Sequence, residues 1–336
     1  MSFPAFEVLR PRTLDVALQS LARYGADAQM VAGGTDLIPS MKQGLFAPPV
    51  LLDLKGIREL DFSRFDSDGS LTIGALARIT TIVDSPEIAE HFPVLHDAAR
   101  TIASPLLRNM GTLGGNLCLD TRCLYYNQST FWREALGGCI KKDGSICHVA
   151  PGGQKCWAVF SGDTAPALLA LNATVLLASP RGNRQLPLAE FYVNDGIVRM
   201  AKLRDEMVTG VRVPASNAGW SGTYTKLRIR QSIDYPLAGV AVVMRKDSDG
   251  NCLEARVAVN AVNPAPQLVK AAELLKGKLY DPDLVEQVAH DAIRTGKPLR
   301  TSASTPEYRR QMVRVFVRRA IREVWMNGHV GTGANR

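Results

Sequence analysis

The stretch 30-MVAGGTDLIP-39 empties an apolar, strand-like run into Gly33, Gly34 and Thr35. Paired glycines let backbone approach a phosphate closely, and successive N–H groups in such a turn form a concave anion site. Thr35 adds a hydroxyl donor, and Asp36 a carboxylate that can accept from a ribityl or ribose hydroxyl. Taken alone, the segment reads more readily as an ordinary strand-to-helix turn. It matches neither the G-x-G-x-x-G dinucleotide fingerprint nor the P-loop, which argues against a Rossmann site or an NTPase. A second Gly-rich stretch, 110-MGTLGGNL-117, lies about 80 residues further on and repeats these features around Thr112 and Asn116. Two such loops fit a cofactor with two phosphates held between two structural units.

The sequence around these loops divides the chain. Residues 1–60 alternate a helix at Leu14 to Tyr24 with strands at Ala28 to Ala32 and Val50 to Asp53, a small βαβ unit. Residues 61–218 open with LTIGALARITTIVD, a strand running into a helix that Thr80 or Thr81 can help start. An apolar helix at Val94 to Ile102 follows, and after an interruption a helix and strand in DTAPALLALNATVLLAS and a strand at Met207 to Val213. Residues 219–336 read as strands at Tyr224 to Arg230, Gly239 to Arg245 and Cys252 to Val262, with a turn at DSDG. Helices follow at Gln267 to Leu275, Asp283 to Thr295 and Pro306 to Asn327. The expected fold class is α+β: a two-part nucleotide-binding region followed by a small domain of a three-stranded antiparallel sheet plus helices.

The interruption, residues 118–157, has neither helical nor strand periodicity. Of the six cysteines, Cys118, Cys123, Cys139, Cys147 and Cys156 fall within 39 residues, and Cys252 stands apart. Reduced thiols clustered in this way indicate metal binding over a disulfide framework. Cys123, Cys139, Cys147 and Cys156 leave gaps of 15, 7 and 8 residues. Four thiolates suit either a tetrahedral zinc or an iron–sulfur cluster, and this spacing leaves both open. Gly137, Gly138, Gly152 and Gly153 would supply bends beside the ligands. His148 reads as a bystander, and Cys118 and Cys252 as buried structural thiols.

Composition bounds the function. Of 336 residues 46% are hydrophobic and 21% charged, an ordinary globular balance. No apolar run approaches the roughly 20 residues that span a bilayer, and the N-terminal segment does not read as a secretory signal, so a cytoplasmic location is expected with no membrane partner. The net charge of +8 gathers only at Arg309, Arg310, Arg314, Arg318, Arg319 and Arg322. These alternate with apolar residues at helical spacing and read as a solvated or partner-facing helix surface, with no nucleic-acid signature beside them. Asp163 stands one residue before a helix, the position of an N-cap. Lys226, on a presumed strand, is by default exposed or paired. Tyr192, Tyr224 and Tyr235 are candidates to stack on a planar ring of a bound cofactor, although an aromatic in a strand is more often core.

VAGGTDL, TLGGN, the D-x-x-P-A-L segment and the C-terminal strand-plus-helix domain together, in this order, resemble the FAD-binding subunits and domains of the molybdenum hydroxylase family. The resemblance runs nearly end to end. It implies that Met30, Val31, Ala32, Gly33, Gly34, Thr35, Asp36 and Leu37, with Thr112, Leu113, Gly114, Gly115 and Asn116, cradle the FAD pyrophosphate, and that Ile102, Asp163, Val208 and Lys226 are further flavin contacts. Most members pass directly from the GGN loop to the aspartate segment, whereas here 46 residues separate Asn116 from Asp163. An insertion of this kind carrying a [4Fe-4S] cluster is similar to that of the 4-hydroxybenzoyl-CoA reductase branch. By that likeness Cys123, Cys139, Cys147 and Cys156 are the cluster ligands. The same likeness implies a heterotrimer, itself dimerised, with a molybdenum-cofactor subunit and a [2Fe-2S] subunit, and ferredoxin as electron donor. The substrate chemistry would then lie on the molybdenum subunit, so no catalytic acid, base or nucleophile is nominated here; cofactors carry such chemistry while the protein binds and tunes them. A flavin subunit of another molybdenum hydroxylase, and a non-catalytic assembly protein with a zinc loop, are the competing readings.

Overall fold

The computed structural model describes residues 3–327; the first two residues of the first expected unit and the last nine of the third lie outside the described residues. Three sheets follow one another along the chain. Strands β1 (Glu7–Leu9), β2 (Ala28–Val31) and β3 (Val50–Asp53) form a parallel sheet in the order β1-β3-β2. The helix Leu14–Tyr24 crosses over from β1 to β2. Thr13 caps it by accepting from the Val16 N–H, and Ala17, Leu18 and Leu21 bury its apolar stripe against Leu52 and Leu54.

The second sheet has five antiparallel strands in the order β4-β5-β8-β6-β7: β4 (Ser63–Phe65), β5 (Leu71–Gly74), β6 (Thr174–Ser179), β7 (Gly182–Pro187) and β8 (Met207–Val213). Helices Ile79–Val83, Pro93–Arg100 and Thr164–Ala170 belong to the same core. The expectation that Thr80 or Thr81 starts a helix is wrong: Arg78 occupies the N-cap without a side-chain bond, and the Thr80 hydroxyl turns instead to Asp84. The 118–157 insertion is irregular except for a short helix, Thr130–Ala135.

The third sheet has four strands where three were expected: β9 (Ser221–Leu227), β10 (Ala238–Lys246), β11 (Cys252–Asn260) and β12 (Gln267–Leu268), all antiparallel. The helix expected over Gln267 to Leu275 is instead this short strand and a 3-10 turn, Lys270–Leu275. Pairing with Val259 and Ala258 draws Gln267 and Leu268 into the sheet as an edge strand. Both faces of this sheet are covered. Along β10, Ala241 and Val243 join the core built with Pro93–Arg100 and Thr164–Ala170, while Val240, Val242 and Met244 pack under the helices Pro282–Thr295 and Pro306–Asn327. The period of two thus sorts one apolar strand into two cores.

A buried ion pair ties the second unit to the third. Lys226 Nζ on β9 lies 2.9 Å from the Asp163 carboxylate, with side-chain exposures of 2% and 5%. The Tyr224 hydroxyl donates to the same carboxylate at 2.7 Å. Asp163 does sit at a helix start, but its side chain makes no capping bond, so the N-cap reading is corrected. Burial pushes its carboxyl above the usual range, and Lys226 and Tyr224 oppose that shift. Arg309 departs from the solvated-surface expectation altogether. It is 0% exposed and donates to the carbonyls of Leu237, Leu299 and Ala261 and to the Thr301 hydroxyl. Among the described residues no helix is long and apolar enough to cross a membrane.

Removing one partner of a buried pair leaves an uncompensated charge, at a cost of about 3–5 kcal/mol. Lys226→Met is therefore expected to lower unfolding stability by that amount in denaturation of the full chain followed by circular dichroism. The Asp163→Leu/Lys226→Met double variant should regain much of the loss. A double variant no more stable than the single one would contradict the pair's isolation from water.

Candidate functional site

The first Gly loop leaves β2 and enters the helix Leu37–Lys42. Gly34 has φ +72°, and a Cβ on Gly33 would meet the Met110 carbonyl oxygen at 2.0 Å. The two Gly loops therefore touch backbone to backbone, which only glycine permits. The N–H groups of Gly33, Gly34, Thr35 and Asp36 have no acceptor among the described residues, the open donor set an anionic group requires.

The second loop is built differently. Leu113 N–H bonds to the Ala77 carbonyl, Gly114 N–H to the Ala75 carbonyl, Gly115 N–H to Thr112 Oγ1, and Asn116 N–H to the Thr112 carbonyl. Its donors are thus partnered inside the protein, and Gly114 is needed because a Cβ there would lie 2.7 Å from Ala75. Leu113 is buried in the core, whereas Gly115 is exposed. Asn116 Oδ1 accepts from the Thr164 N–H and hydroxyl at 3.1 and 2.6 Å. From there the expected contacts are contiguous: Asp163 adjoins Thr164, Lys226 bonds to Asp163, and Lys226 Nζ also donates to the Thr101 carbonyl beside half-buried Ile102. Val208 is buried within β8, and Val31 packs beneath the first loop on Met41 and Leu51, with Leu37 against them. Met30 and Ala32 pack on the opposite side of β2, against the core under the helix Leu14–Tyr24.

Asp36 meets its protein partners through a single carboxylate oxygen, Oδ1. Its carboxylate accepts from Arg122 at 2.9 Å and from the Tyr235 hydroxyl at 2.8 Å, and the Arg122 guanidinium lies 4.0 Å from the centre of the Tyr235 ring. Tyr192 and Tyr224 are held in the core, their hydroxyls donating to the Leu117 carbonyl and to Asp163. Of the three tyrosines only Tyr235 is exposed.

The insertion brings Cys123, Cys139, Cys147 and Cys156 to one small pocket, which Tyr125, Tyr126, Lys141 and His148 also line. All six cysteines are free thiols. Cys252 is fully buried and Cys118 only partly so. Gly137 and Gly138 turn the chain with φ +74° and +70°, and Gly152 and Gly153 lie in a turn that the Gly153 N–H closes on the Ala150 carbonyl. His148 bonds through Nε2 to the Gly138 carbonyl and stacks on Tyr125. Among the described residues no three His, Cys, Asp or Glu side chains are placed to hold a metal ion. Burial, and behind it the other three cysteines, pushes the Cys123 thiol up to about 12; burial likewise takes Cys156 up to about 11, against the Ala158 N–H and Lys141. Any metal group bound there must displace protons.

Several supporting residues gave no sequence signal. Gly196, far along the chain, makes room for Cys156: a Cβ would lie 2.6 Å from its Sγ. Arg133 is buried and donates to the carbonyls of Gln43, Gly44 and Gln128, pinning the insertion to the first unit. Leu124 N–H bonds to the Thr301 carbonyl of the third unit.

Residues 4–216 match the family described as the FAD binding domain in molybdopterin dehydrogenase, and residues 222–324 the CO dehydrogenase flavoprotein C-terminal domain. The carbon monoxide dehydrogenase medium chain of Hydrogenophaga pseudoflava is 29% identical over 326 residues, covering 96% of this chain and 98% of that one. The aldehyde oxidoreductase FAD-binding subunit of Escherichia coli is 34% identical over 255 residues, 73% of this chain and 78% of the other. In three dimensions the chain is similar to a solved carbon monoxide dehydrogenase from Hydrogenophaga pseudoflava, with a TM-score of 0.78, 28% identity and coverage of 97% and 99%.

Gly33→Ala should push the two loops apart and weaken FAD binding at least about a hundredfold, near 3 kcal/mol, with an unchanged far-ultraviolet circular dichroism spectrum. Fluorescence titration of FAD measures this, and wild-type affinity in the variant would remove the loop from the site.

Proposed function

This chain belongs to the family of FAD-binding subunits of molybdenum hydroxylases, and on that premise we propose that it is the FAD- and [4Fe-4S]-carrying subunit of a 4-hydroxybenzoyl-CoA reductase. As an oxidoreductase subunit it holds FAD, which exchanges electrons between one- and two-electron carriers. The open N–H groups of Gly33 to Asp36, closed over by the second loop, suit the FAD pyrophosphate. Asn116, Asp163, Lys226 and Ile102 form the continuous wall beyond it, and their part is to orient the cofactor and exclude water.

One observation carries the finer reading: the four cysteines of an insertion unusual for the family line a single cavity. A zinc ion needs its sulfurs about 2.3 Å from one point, and no three ligands approach that arrangement among the described residues. Four thiols lining one pocket, with the likeness of this insertion to a cluster-carrying one, favour the polynuclear group. The Arg122–Asp36 ion pair joins this insertion to the first Gly loop, as a donor site that feeds the flavin requires. Within the proposal, ferredoxin delivers electrons to the cluster, and a [2Fe-2S] subunit and a molybdenum subunit complete a cytoplasmic heterotrimer that dimerises. Two electrons and two protons then convert 4-hydroxybenzoyl-CoA to benzoyl-CoA and water on the molybdenum subunit.

The complex assembled with this chain should reduce 4-hydroxybenzoyl-CoA with reduced ferredoxin, whereas the complex carrying Cys147→Ala should keep its FAD and lose that activity at least about a hundredfold. Failure of the unmodified complex to act on this thioester, with turnover of another aromatic or heterocyclic compound, would reject the substrate. Full ferredoxin-driven activity in Cys147→Ala would reject the role of the cysteines.

A further inference from the structure

Beside the four-cysteine cavity lies a buried group of charges. Lys141 lines the cavity, its side chain only 7% exposed. Its ammonium donates to Asp120 Oδ1 at 2.8 Å, to the Thr121 carbonyl at 2.9 Å and to Thr121 Oγ1 at 2.6 Å, and lies 4.3 Å from the centre of the Tyr126 ring. All three of its donors are engaged, so it is a fixed charge with no proton to offer. Arg199 Nε reaches the same Asp120 oxygen at 3.2 Å, and its Nη1 donates to the carbonyls of Cys118 and Leu119. Two cations therefore share one carboxylate. Buried charges persist when compensated, and the surplus positive charge faces the thiols, because Lys141 lines the same pocket as the four cysteines.

We infer that Lys141 sets the reduction potential of the group held by Cys123, Cys139, Cys147 and Cys156, with Asp120 as its counterweight. The inference rests on the cluster reading above. Reduction adds an electron to a group already made anionic by four thiolates, and an ammonium in a low-dielectric wall stabilises the added charge. Lys141 thus raises the potential, and Asp120 lowers it. Lys141 is a positioning residue for charge; it ligates nothing.

The test is a redox titration of the insertion's cluster, followed by electron paramagnetic resonance in the complete complex, after iron has been assayed in the unmodified chain. Lys141→Met should shift the reduction equilibrium at least tenfold toward the oxidised form, 59 mV downward for one electron, and Lys141→Arg should restore it. Asp120→Asn, which leaves Lys141 its Thr121 partners, should shift the potential upward. A purely structural strut would give no such opposition of sign, so equal potentials, or shifts in the same direction, overturn the inference. If Lys141→Met does not assemble, an unchanged or lowered potential in Asp120→Asn alone overturns it. An unmodified chain without iron fails the cluster reading itself and this inference with it, a result distinguishable because it precedes any substitution.

Discussion

The Asp163–Lys226 pair is the constraint on which the other contacts depend. A carboxylate and an ammonium buried together between two structural units must find each other, since either alone is too costly to keep from water. With Tyr224 donating to the same carboxylate, the pair fixes the third sheet against the start of the helix Thr164–Ala170. That helix start holds Asn116 through Thr164, so the second Gly loop takes its place from the same junction. The first loop then meets the second at Gly33 and Met110. Three units that could otherwise move independently are brought to one cleft.

The insertion is carried by this frame without altering it. Its anchors include Arg133 on the carbonyls of Gln43 and Gly44, Arg122 on Asp36, Leu124 on the Thr301 carbonyl, and Arg199 on the carbonyls of Cys118 and Leu119. Arg309 holds Thr301 and Leu237 from below. A residue that the sequence presents as one arginine among many thereby supports both the segment just after Cys123 and the end of the loop carrying Tyr235. Such tethers give an irregular loop a defined shape where its own backbone periodicity gives none.

Much of the architecture was legible because local chemistry and packing agree there. The helices Leu14–Tyr24 and Pro306–Asn327 and the strands Val50–Asp53 and Met207–Val213 lie where periodicity and turn residues set them. Other features depend on partners distant in sequence. Asp163 looks like a cap until Lys226 and Tyr224 arrive from more than 60 residues away. Nothing near Asp36 in sequence announces that Arg122 and Tyr235 share its Oδ1. The burial of Arg309 is hidden in an arginine-rich helix because periodicity does not reveal which polar position faces a row of free carbonyls. The spacing of the cysteines left zinc and iron–sulfur open, and it gave no sign that the four thiols line one pocket.

The central claim is that one chain holds both a flavin and a polynuclear iron site. Metal and flavin analysis of the anaerobically purified chain tests it most directly. The account predicts about one FAD and four irons per chain, with a visible absorbance that bleaches on reduction. Stoichiometric zinc without iron, or bound FAD with all four insertion cysteines open to alkylation, would contradict it.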